Sequence, residues 1–199
     1  MLDKINEWLF FLINAHSNSP IWQIRLAIYL AQYLIAIVPL ICIILWCWGE
    51  DLQRKLVCKS ILAIIIALFL SFMIRHFFPH DRPFVVGKGH PFIKHSKSSS
   101  NPSNHASIIF TFALSFLLFW HRLGSAIILF IIGLIISWSR IYLSLHWPLD
   151  IIDAVLIAIM GCLGSQIIWK IYGIYLFKII YIVYFFCLAY PINNGWINY

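Results

Sequence analysis

Long apolar runs dominate this sequence of 199 residues and constrain its fold more than any other feature. Hydrophobic residues make up 62% of the chain and charged residues 11%, whereas soluble domains carry about 25% charged residues. About 20 apolar residues are enough to cross a bilayer as a helix. The sequence therefore predicts an all-α membrane bundle with six transmembrane helices, forming a single domain over residues 1–199. The predicted spans are 24–48, 56–74, 105–120, 125–142, 149–168 and 174–190.

The N-terminal segment predicts a separate short helix over residues 2–15. Leu2, Ile5, Leu9 and Ile13 fall roughly on one helical face, which is typical of an amphipathic helix lying at the membrane surface. The apolar core of this segment is short, and acidic residues offset its lysine, so a cleavable signal peptide is not indicated.

Three polar stretches, 75–83, 101–106 and 139–150, interrupt the apolar runs. The first two border the loop after the second predicted span and the third follows the fourth, so all three share one side of the membrane. Six spans would place both chain termini on that same side. The other lysines and arginines divide five to this side and six to the other, and the short loops that carry the six are typical of cytoplasmic loops. We therefore expect a bacterial inner (cytoplasmic) membrane protein whose polar stretches face the periplasm or the outside.

Three arginines, Arg75, Arg82 and Arg140, lie in these stretches. An arginine at a membrane helix end can simply extend to the lipid headgroups. Arg140 fits that explanation less well, because apolar residues lie on both sides of it. A guanidinium group presents a rigid fork of donors that matches phosphate oxygens, so the three predict a phosphate site. The cations form no continuous stripe, which argues against nucleic acid as a partner.

Two further patterns supply acid, base and nucleophile candidates. Ser103 and Asn104 precede an apolar helical run, as N-cap residues do, and free N–H groups at a helix start also bind anions. His105 would then lie beside the bound phosphate. His146 and Asp150 are four residues apart and share one helical face, so the carboxylate can fix the imidazole tautomer and leave the other ring nitrogen free to attack. A capping aspartate with an interfacial histidine is the structural alternative.

Metal ligation is the main chemical alternative for the histidines. Zinc needs three or four ligands at recognisable spacing, and the sequence contains no HExxH pattern and no CxxC pair. The arginines also disfavour an added cation, so we expect no metal and no cofactor. The five cysteines are interpreted as small apolar packing residues. The histidines considered are His76, His80, His90, His95, His105 and His146.

Together the motifs resemble the three-part signature of the type 2 phosphatidic acid phosphatase superfamily: a basic residue, six residues and Arg-Pro; Pro-Ser-x-His; and Ser-Arg, five residues, His, three residues and Asp. Every spacing matches. Arg75 replaces the usual lysine and keeps the charge. Asn104 stands where glycine or aspartate is common, which bears on loop geometry or substrate preference. The short chain, the N-terminal segment, residues 81–84 and the placement of His90 and His95 resemble the bacitracin-resistance type of undecaprenyl pyrophosphate phosphatase.

This resemblance implies roles for the matching residues. His146 would attack phosphorus to form a phosphohistidine, Asp150 would orient His146, and His105 would protonate the leaving group and then activate water. It implies hydrolysis of undecaprenyl pyrophosphate to undecaprenyl phosphate and inorganic phosphate, which recycles the lipid carrier of cell-wall synthesis. The implied phosphate ligands are Arg75, Arg82, Ser103, Asn104, Ser139 and Arg140. From their position in the loop, Lys88, His90, Lys94 and His95 are hypothesised to bind the second phosphate.

Two other functions remain open from the sequence. The motifs contact phosphate and not the lipid tail, so the substrate could be phosphatidylglycerophosphate, phosphatidic acid or a lipid A phosphate. Intramembrane cations also line transport paths, which makes a transporter of lipid phosphate or another anion a candidate of a different class. A transporter would need neither the His146–Asp150 pair nor His105, and no inverted repeat is evident.

Overall fold

A computed structural model describes residues 1–198 of the chain. Those residues are all-helical and contain no strand, as the sequence predicts. Four segments are long and apolar enough to cross a membrane, 21–47, 51–77, 123–142 and 148–187, and the apolar helix 104–120 is shorter. The helices are α1 (Leu2–Ile13), α2 (Ile21–Tyr33), α3 (Ile37–Cys47), α4 (Asp51–Phe77), α5 (Asn104–Trp120), α6 (Leu123–Tyr142), α7 (Pro148–Cys187) and α8 (Ala189–Asn193), with a 3₁₀ turn at Leu34–Ala36.

The predicted N-terminal helix is present as α1, but a different face of it is buried. Phe10 is fully buried with its ring centroid 5.0 Å from that of Trp147, and the Asn6 side chain accepts a hydrogen bond of 3.0 Å from the Leu149 backbone N–H. Leu2 and Ile5 remain exposed. The helix therefore docks on the segment between α6 and α7, because one aromatic and one amide find specific partners there.

The first predicted span is interrupted by a 3₁₀ turn close to its internal proline. α2 and α3 are separated by one 3₁₀ turn, Leu34–Ala36, and Pro39 follows in the first turn of α3. Proline lacks an N–H group, and its ring crowds the carbonyl four residues earlier, which is that of Ile35 inside the 3₁₀ turn. The tighter turn accommodates this crowding within the apolar segment.

The bundle is built around α5, which contacts α4, α6 and α7. Its residues Ala106, Ile109, Phe110 and Phe112 are fully buried. α5 begins at Asn104, so this central packing places the polar segment before it between the ends of α4 and α6. The first polar stretch ends α4 and the third ends α6, which brings all three stretches to one end of the bundle.

The predicted fifth and sixth spans are wrong as separate helices, and the count of six spans is not confirmed. They form one continuous helix, α7, of 40 residues, because no proline occurs between Pro148 and Pro191 and a lone Gly173 does not end a helix. A straight helix of this length would extend about 60 Å, roughly twice the hydrocarbon thickness. The C-terminal half of α7 packs against the last turn of α3 and the first turns of α4, at the end of the bundle opposite the polar stretches. There Tyr184 contacts Trp46 of α3 and Arg54 of α4.

The two chain ends therefore do not share one side of the bundle. The α1 helix lies at the end that carries the polar stretches. The Asn198 backbone N–H donates a 2.8 Å hydrogen bond to the Cys47 carbonyl, and its side chain reaches the Trp48 carbonyl at the opposite end. The sequence expectation that both termini lie beside the site is wrong, because it depended on a break in α7 that does not occur.

Close packing of α4 on α7 gives a first prediction, for stability. A Cβ atom added at Gly161 would lie 2.7 Å from the Ala63 carbonyl oxygen and 3.0 Å from Ala67 Cβ, whereas one at Gly164 would meet only Ile66 at ordinary contact distance. Gly161→Ala is expected to lower the free energy of unfolding by about 1–3 kcal/mol, because helix backbone must shift. Thermal unfolding in detergent measures this. Gly164→Ala is the matched control, and equal melting temperatures for the two variants would contradict the prediction.

Candidate active site

One cavity of about 320 Å³ opens where the three polar stretches meet. The first stretch supplies Arg75 and Arg82, the second supplies the start of α5, and the third supplies Arg140 and His146. The loop before the second stretch completes the wall. The lining residues are Arg75, Arg82, His95, Ser96, Ser98, Ser99, Pro102, Asn104, His105, Arg140 and His146.

His146 and Asp150 form a buried pair behind this cavity. The His146 Nδ1 atom lies 3.2 Å from Asp150 Oδ2, and both side chains are almost wholly inaccessible to solvent. Trp147 is the N-cap of α7 and Pro148 its first residue, so Asp150 occupies the third helical position. There the same Oδ2 atom also accepts a 2.8 Å hydrogen bond from the Trp147 backbone N–H. The helix start thus holds the carboxylate in place against the imidazole ring.

The donors around His146 determine which ring nitrogen carries the proton. Arg82 Nη1 lies 3.2 Å from His146 Nε2, and Arg140 Nη2 lies 3.4 Å from it. A guanidinium group can only donate, so Nε2 accepts and carries a lone pair. Nδ1 then carries the proton and donates to Asp150. Burial lowers the pKa of His146 well below its usual value, and the charges of Arg140 and Arg82 lower it further. The cavity therefore presents a neutral imidazole with its unprotonated Nε2 atom facing the arginines.

Arg82 connects separate parts of the site. Its Nη1 atom donates to the Leu145 carbonyl at 2.8 Å, and its Nε and Nη2 atoms donate to the carbonyls of Ser98 and Ser99 at 2.9 and 3.2 Å. Burial lowers the pKa of Arg82 to about 10, with Asp150 acting in the opposite direction. Arg82 stays charged at neutral pH and fixes the loop carrying the serines against the segment carrying His146.

Arg140 and Ser103 each have a buried polar atom aimed at no protein partner among residues 1–198. These atoms are Arg140 Nε and Ser103 Oγ. Buried polar groups are nearly always hydrogen-bonded, so an unpaired donor at a cavity points to a ligand. Arg140 also donates to the Ala31 carbonyl at 3.4 Å, which fixes the direction of its guanidinium group. Arg140 lines the cavity, so its free Nε donor suits a phosphoryl oxygen, whereas Ser103 is buried and does not form part of the cavity wall.

Asn104 finds a specific role in the structure. Its Oδ1 atom accepts a hydrogen bond from Arg75 Nη1, and the same nitrogen approaches the Pro102 carbonyl at 3.4 Å. Asn104 is the first residue of α5 and Ser103 is the N-cap. The amide therefore ties Arg75 to the helix start, which a glycine could not do. His105, next along α5, also lines the cavity and lies close enough to His146 to interact with it electrostatically.

Several residues considered from the sequence lie outside the cavity. The Ser139 hydroxyl donates to the Ile136 carbonyl at 2.6 Å, within its own helix. Lys88 pairs with Glu7 of α1 beside a separate recess. Lys94 lines a surface hollow with Phe92 and Lys97, and the structure does not bring His90 to the cavity wall. Of the four residues hypothesised to bind a second phosphate, only His95 lines the cavity.

The serines Ser96, Ser98 and Ser99 are site residues that the sequence argument did not name individually. A serine run of this kind is compatible with either a flexible linker or a functional loop. Serine-rich runs carry no periodicity, so individual side chains could not be placed. Their position depends on the long-range bonds from Arg82.

The buried neutral His146 predicts how stability depends on pH. Its pKa is lowered on folding from 6.5, so below about pH 6.5 the unfolded chain binds a proton that the folded chain does not. The contribution of this group to stability is therefore full above that pH and falls as the pH decreases below it. Thermal unfolding of wild type and His146→Gln across this range measures the effect. We expect a shallower slope for the variant, and identical slopes would contradict the assignment.

Comparison with known proteins agrees with this geometry. The family model described as the PAP2 superfamily matches residues 56–173. YbjG of Escherichia coli (strain K12), whose name marks it as a provisional undecaprenyl-diphosphatase, is 47% identical over 198 residues, 100% of both chains. The undecaprenyl-diphosphatase BcrC of Bacillus subtilis (strain 168) is 27% identical over 73% of this chain and 74% of its own. The crystal structure of Aquifex aeolicus LpxE has a TM-score of 0.68 at 28% identity, over 81% of this chain and 94% of that one. Because the family model matches more than half of the chain and a relative is 47% identical over its full length, this chain belongs to the PAP2 superfamily.

Proposed function

We propose that this membrane phosphatase hydrolyses undecaprenyl pyrophosphate to undecaprenyl phosphate and inorganic phosphate. The observation that carries the proposal is the neutral imidazole of His146, which Asp150 holds through Nδ1 while Nε2 faces a cavity with three arginines. The substrate is inferred from the names of the relatives with 47% and 27% identity. The cavity fits this substrate because its arginines, including the unpaired Nε donor of Arg140, match phosphoryl oxygens.

In the first step, His146 Nε2 attacks the terminal phosphorus. The new P–N bond forms as the bond from phosphorus to the bridging oxygen breaks, and undecaprenyl phosphate departs. His105 donates a proton to the leaving oxygen. The Asp150 carboxylate balances the positive charge that the imidazole ring gains, since it already accepts the Nδ1 proton. Arg75, Arg82 and Arg140 stabilise the charge on the phosphoryl oxygens in the transition state.

In the second step, water hydrolyses the phosphohistidine. His105, now neutral, accepts a proton from water as its oxygen attacks phosphorus. The P–N bond breaks, its electron pair returns to Nε2, and orthophosphate is formed. The same arginines hold the phosphoryl group in both steps. His105 therefore acts as a general acid in the first step and as a general base in the second.

Metal independence belongs to this proposal. The guanidinium groups supply the positive charge that a divalent cation would supply in other phosphatases. Within residues 1–198, no three His, Cys, Asp or Glu side chains converge as a metal site requires. We further propose that the site faces the outer side of the cytoplasmic membrane, which agrees with the cations Lys55, Lys59 and Arg122 at the opposite end of the bundle.

The decisive experiment is phosphate release by the detergent-purified protein with a chelator present. The substrates are undecaprenyl pyrophosphate, undecaprenyl phosphate, phosphatidylglycerophosphate and phosphatidic acid. We expect release from the pyrophosphate to be fastest and unaffected by the chelator. Faster release from a glycerophospholipid would overturn the substrate, and loss of release with chelator would overturn metal independence. Binding without turnover of any substrate would favour a transporter.

A further inference from the structure

The cavity has a second group of polar residues that the reacting phosphoryl group does not use. We define the serine rim as Ser96, Ser98 and Ser99. Ser96 Oγ lies 2.8 Å from Ser98 Oγ, and the Ser99 hydroxyl accepts a 3.0 Å hydrogen bond from the His80 backbone N–H. All three line the cavity. The two bonds from Arg82 to the carbonyls of Ser98 and Ser99 hold this rim in position.

His95 joins the serine rim to the arginines. Arg140 Nη2 lies 3.3 Å from His95 Nε2, so this nitrogen accepts, and His95 Nδ1 faces the Ser96 carbonyl at 3.2 Å. Burial lowers the pKa of His95, and the charges of Arg82 and Arg140 lower it further, although the bond to Ser96 acts in the opposite direction. A bound anion would oppose both arginine charges and favour the protonated ring. His95 is therefore a donor that a negatively charged ligand would recruit.

The cavity has two sets of lining residues with different chemistry, the charged arginines near His146 and the neutral serine rim with His95. Arg75, Arg82 and Arg140 line the cavity with His146 and supply charged donors for one phosphoryl group. His95 and the serine rim line the same cavity and are left without such a role. A pyrophosphate carries a second phosphoryl group covalently joined to the first, so it must lie within the same cavity or at its edge. Hydroxyl groups and a recruitable histidine are suitable partners for its oxygens.

We propose that His95 and the serine rim bind the second phosphoryl group of a lipid pyrophosphate, the one that stays on the lipid. The inference rests on the proposed function, since it concerns a pyrophosphate at the same site. The serine rim takes the role that the sequence analysis gave to Lys88 and Lys94, because the structure places these lysines in two other surface recesses. Contacts to this group stabilise it as it leaves, and they distinguish a pyrophosphate from a monophosphate.

The test measures binding of inorganic pyrophosphate and orthophosphate by calorimetry, in a His146→Ala background that cannot turn over. We expect the background protein to bind pyrophosphate more tightly than orthophosphate. Adding Ser96→Ala and Ser98→Ala should weaken pyrophosphate binding about tenfold and leave orthophosphate binding within about twofold. His95→Gln should act in the same direction. Equal weakening of both anions, or no change, would overturn the proposal.

Controls separate this result from misfolding and from failure of the proposed function. Ser17→Ala, an exposed serine of the α1–α2 connection, should change neither affinity, and melting temperatures verify that each variant is folded. If Lys88→Ala with Lys94→Ala weakens pyrophosphate binding and the serine variant does not, the proposal is wrong. The binding test uses no lipid. A preference for a glycerophospholipid in the turnover assay would therefore overturn the proposed function without deciding this result.

Discussion

Replacing His146 with alanine is expected to reduce phosphate release from undecaprenyl pyrophosphate by about 10³-fold or more. The physical reason is that no other imidazole in the cavity has a lone pair held forward by two guanidinium donors while a carboxylate fixes its other nitrogen. The arginines and His105 would remain, so substrate should still bind. The measurement is kcat in detergent, together with capture of the phosphorylated protein from wild type only.

His16→Ala is the matched control, because His16 is an exposed histidine between α1 and α2. It should keep wild-type kcat. His146→Gln provides a second variant of similar size, in case the alanine variant is unstable. If either His146 variant kept more than about a tenth of wild-type turnover, another residue would have to be the nucleophile.

Asp150→Asn is expected to reduce kcat by about 10²- to 10⁴-fold with little change in KM. In wild type one oxygen, Oδ2, accepts from both His146 Nδ1 and the Trp147 backbone N–H. Asparagine keeps the shape, but its NH₂ group cannot accept either bond. If the NH₂ group faces His146, the imidazole must place its lone pair on Nδ1 and its proton on Nε2, which removes the nucleophile. If the carbonyl faces His146, the charge that stabilises the phosphohistidine is still absent.

Asp51→Asn is the control for this variant, since Asp51 is an exposed aspartate in the first turn of α4, at the opposite end of the bundle. It should leave both kinetic constants unchanged. If Asp150→Asn mainly raised KM and left kcat nearly unchanged, the carboxylate would act in substrate binding and not on His146.

The sequence predicts the geometry at the centre of this cavity because the residues involved are close together in the chain. His146 and Asp150 are held by one helix start, and Trp147 and Pro148 between them are residues that begin helices. The meeting of Arg75, Arg82 and Arg140 follows from topology alone, since the ends of apolar runs alternate between membrane faces. These inferences need only the spacing of residues along the chain and the number of membrane-spanning segments between the stretches.

The edge of the site could not be predicted in the same way. Lys88 and His95 lie in one loop with similar spacing from the motifs, but only His95 lines the cavity. The difference depends on partners far away in the sequence, Glu7 for the lysine and Arg140 for the histidine. The continuity of α7 was also missed, because Lys170 and Gly173 interrupt hydrophobicity without breaking a helix.

The three guanidinium groups around one cavity have a consequence for the end of the catalytic cycle. Orthophosphate carries the same tetrahedral set of oxygens as the transferred phosphoryl group, so the contacts that stabilise the transition state also retain the second product. Asp150 lies behind His146, and no carboxylate among residues 1–198 lines the cavity to repel it. Departure of orthophosphate, and not attack on phosphorus, is therefore the step we expect to limit the steady-state rate. The enzyme would slow as free phosphate accumulates on the side of the membrane to which the cavity opens.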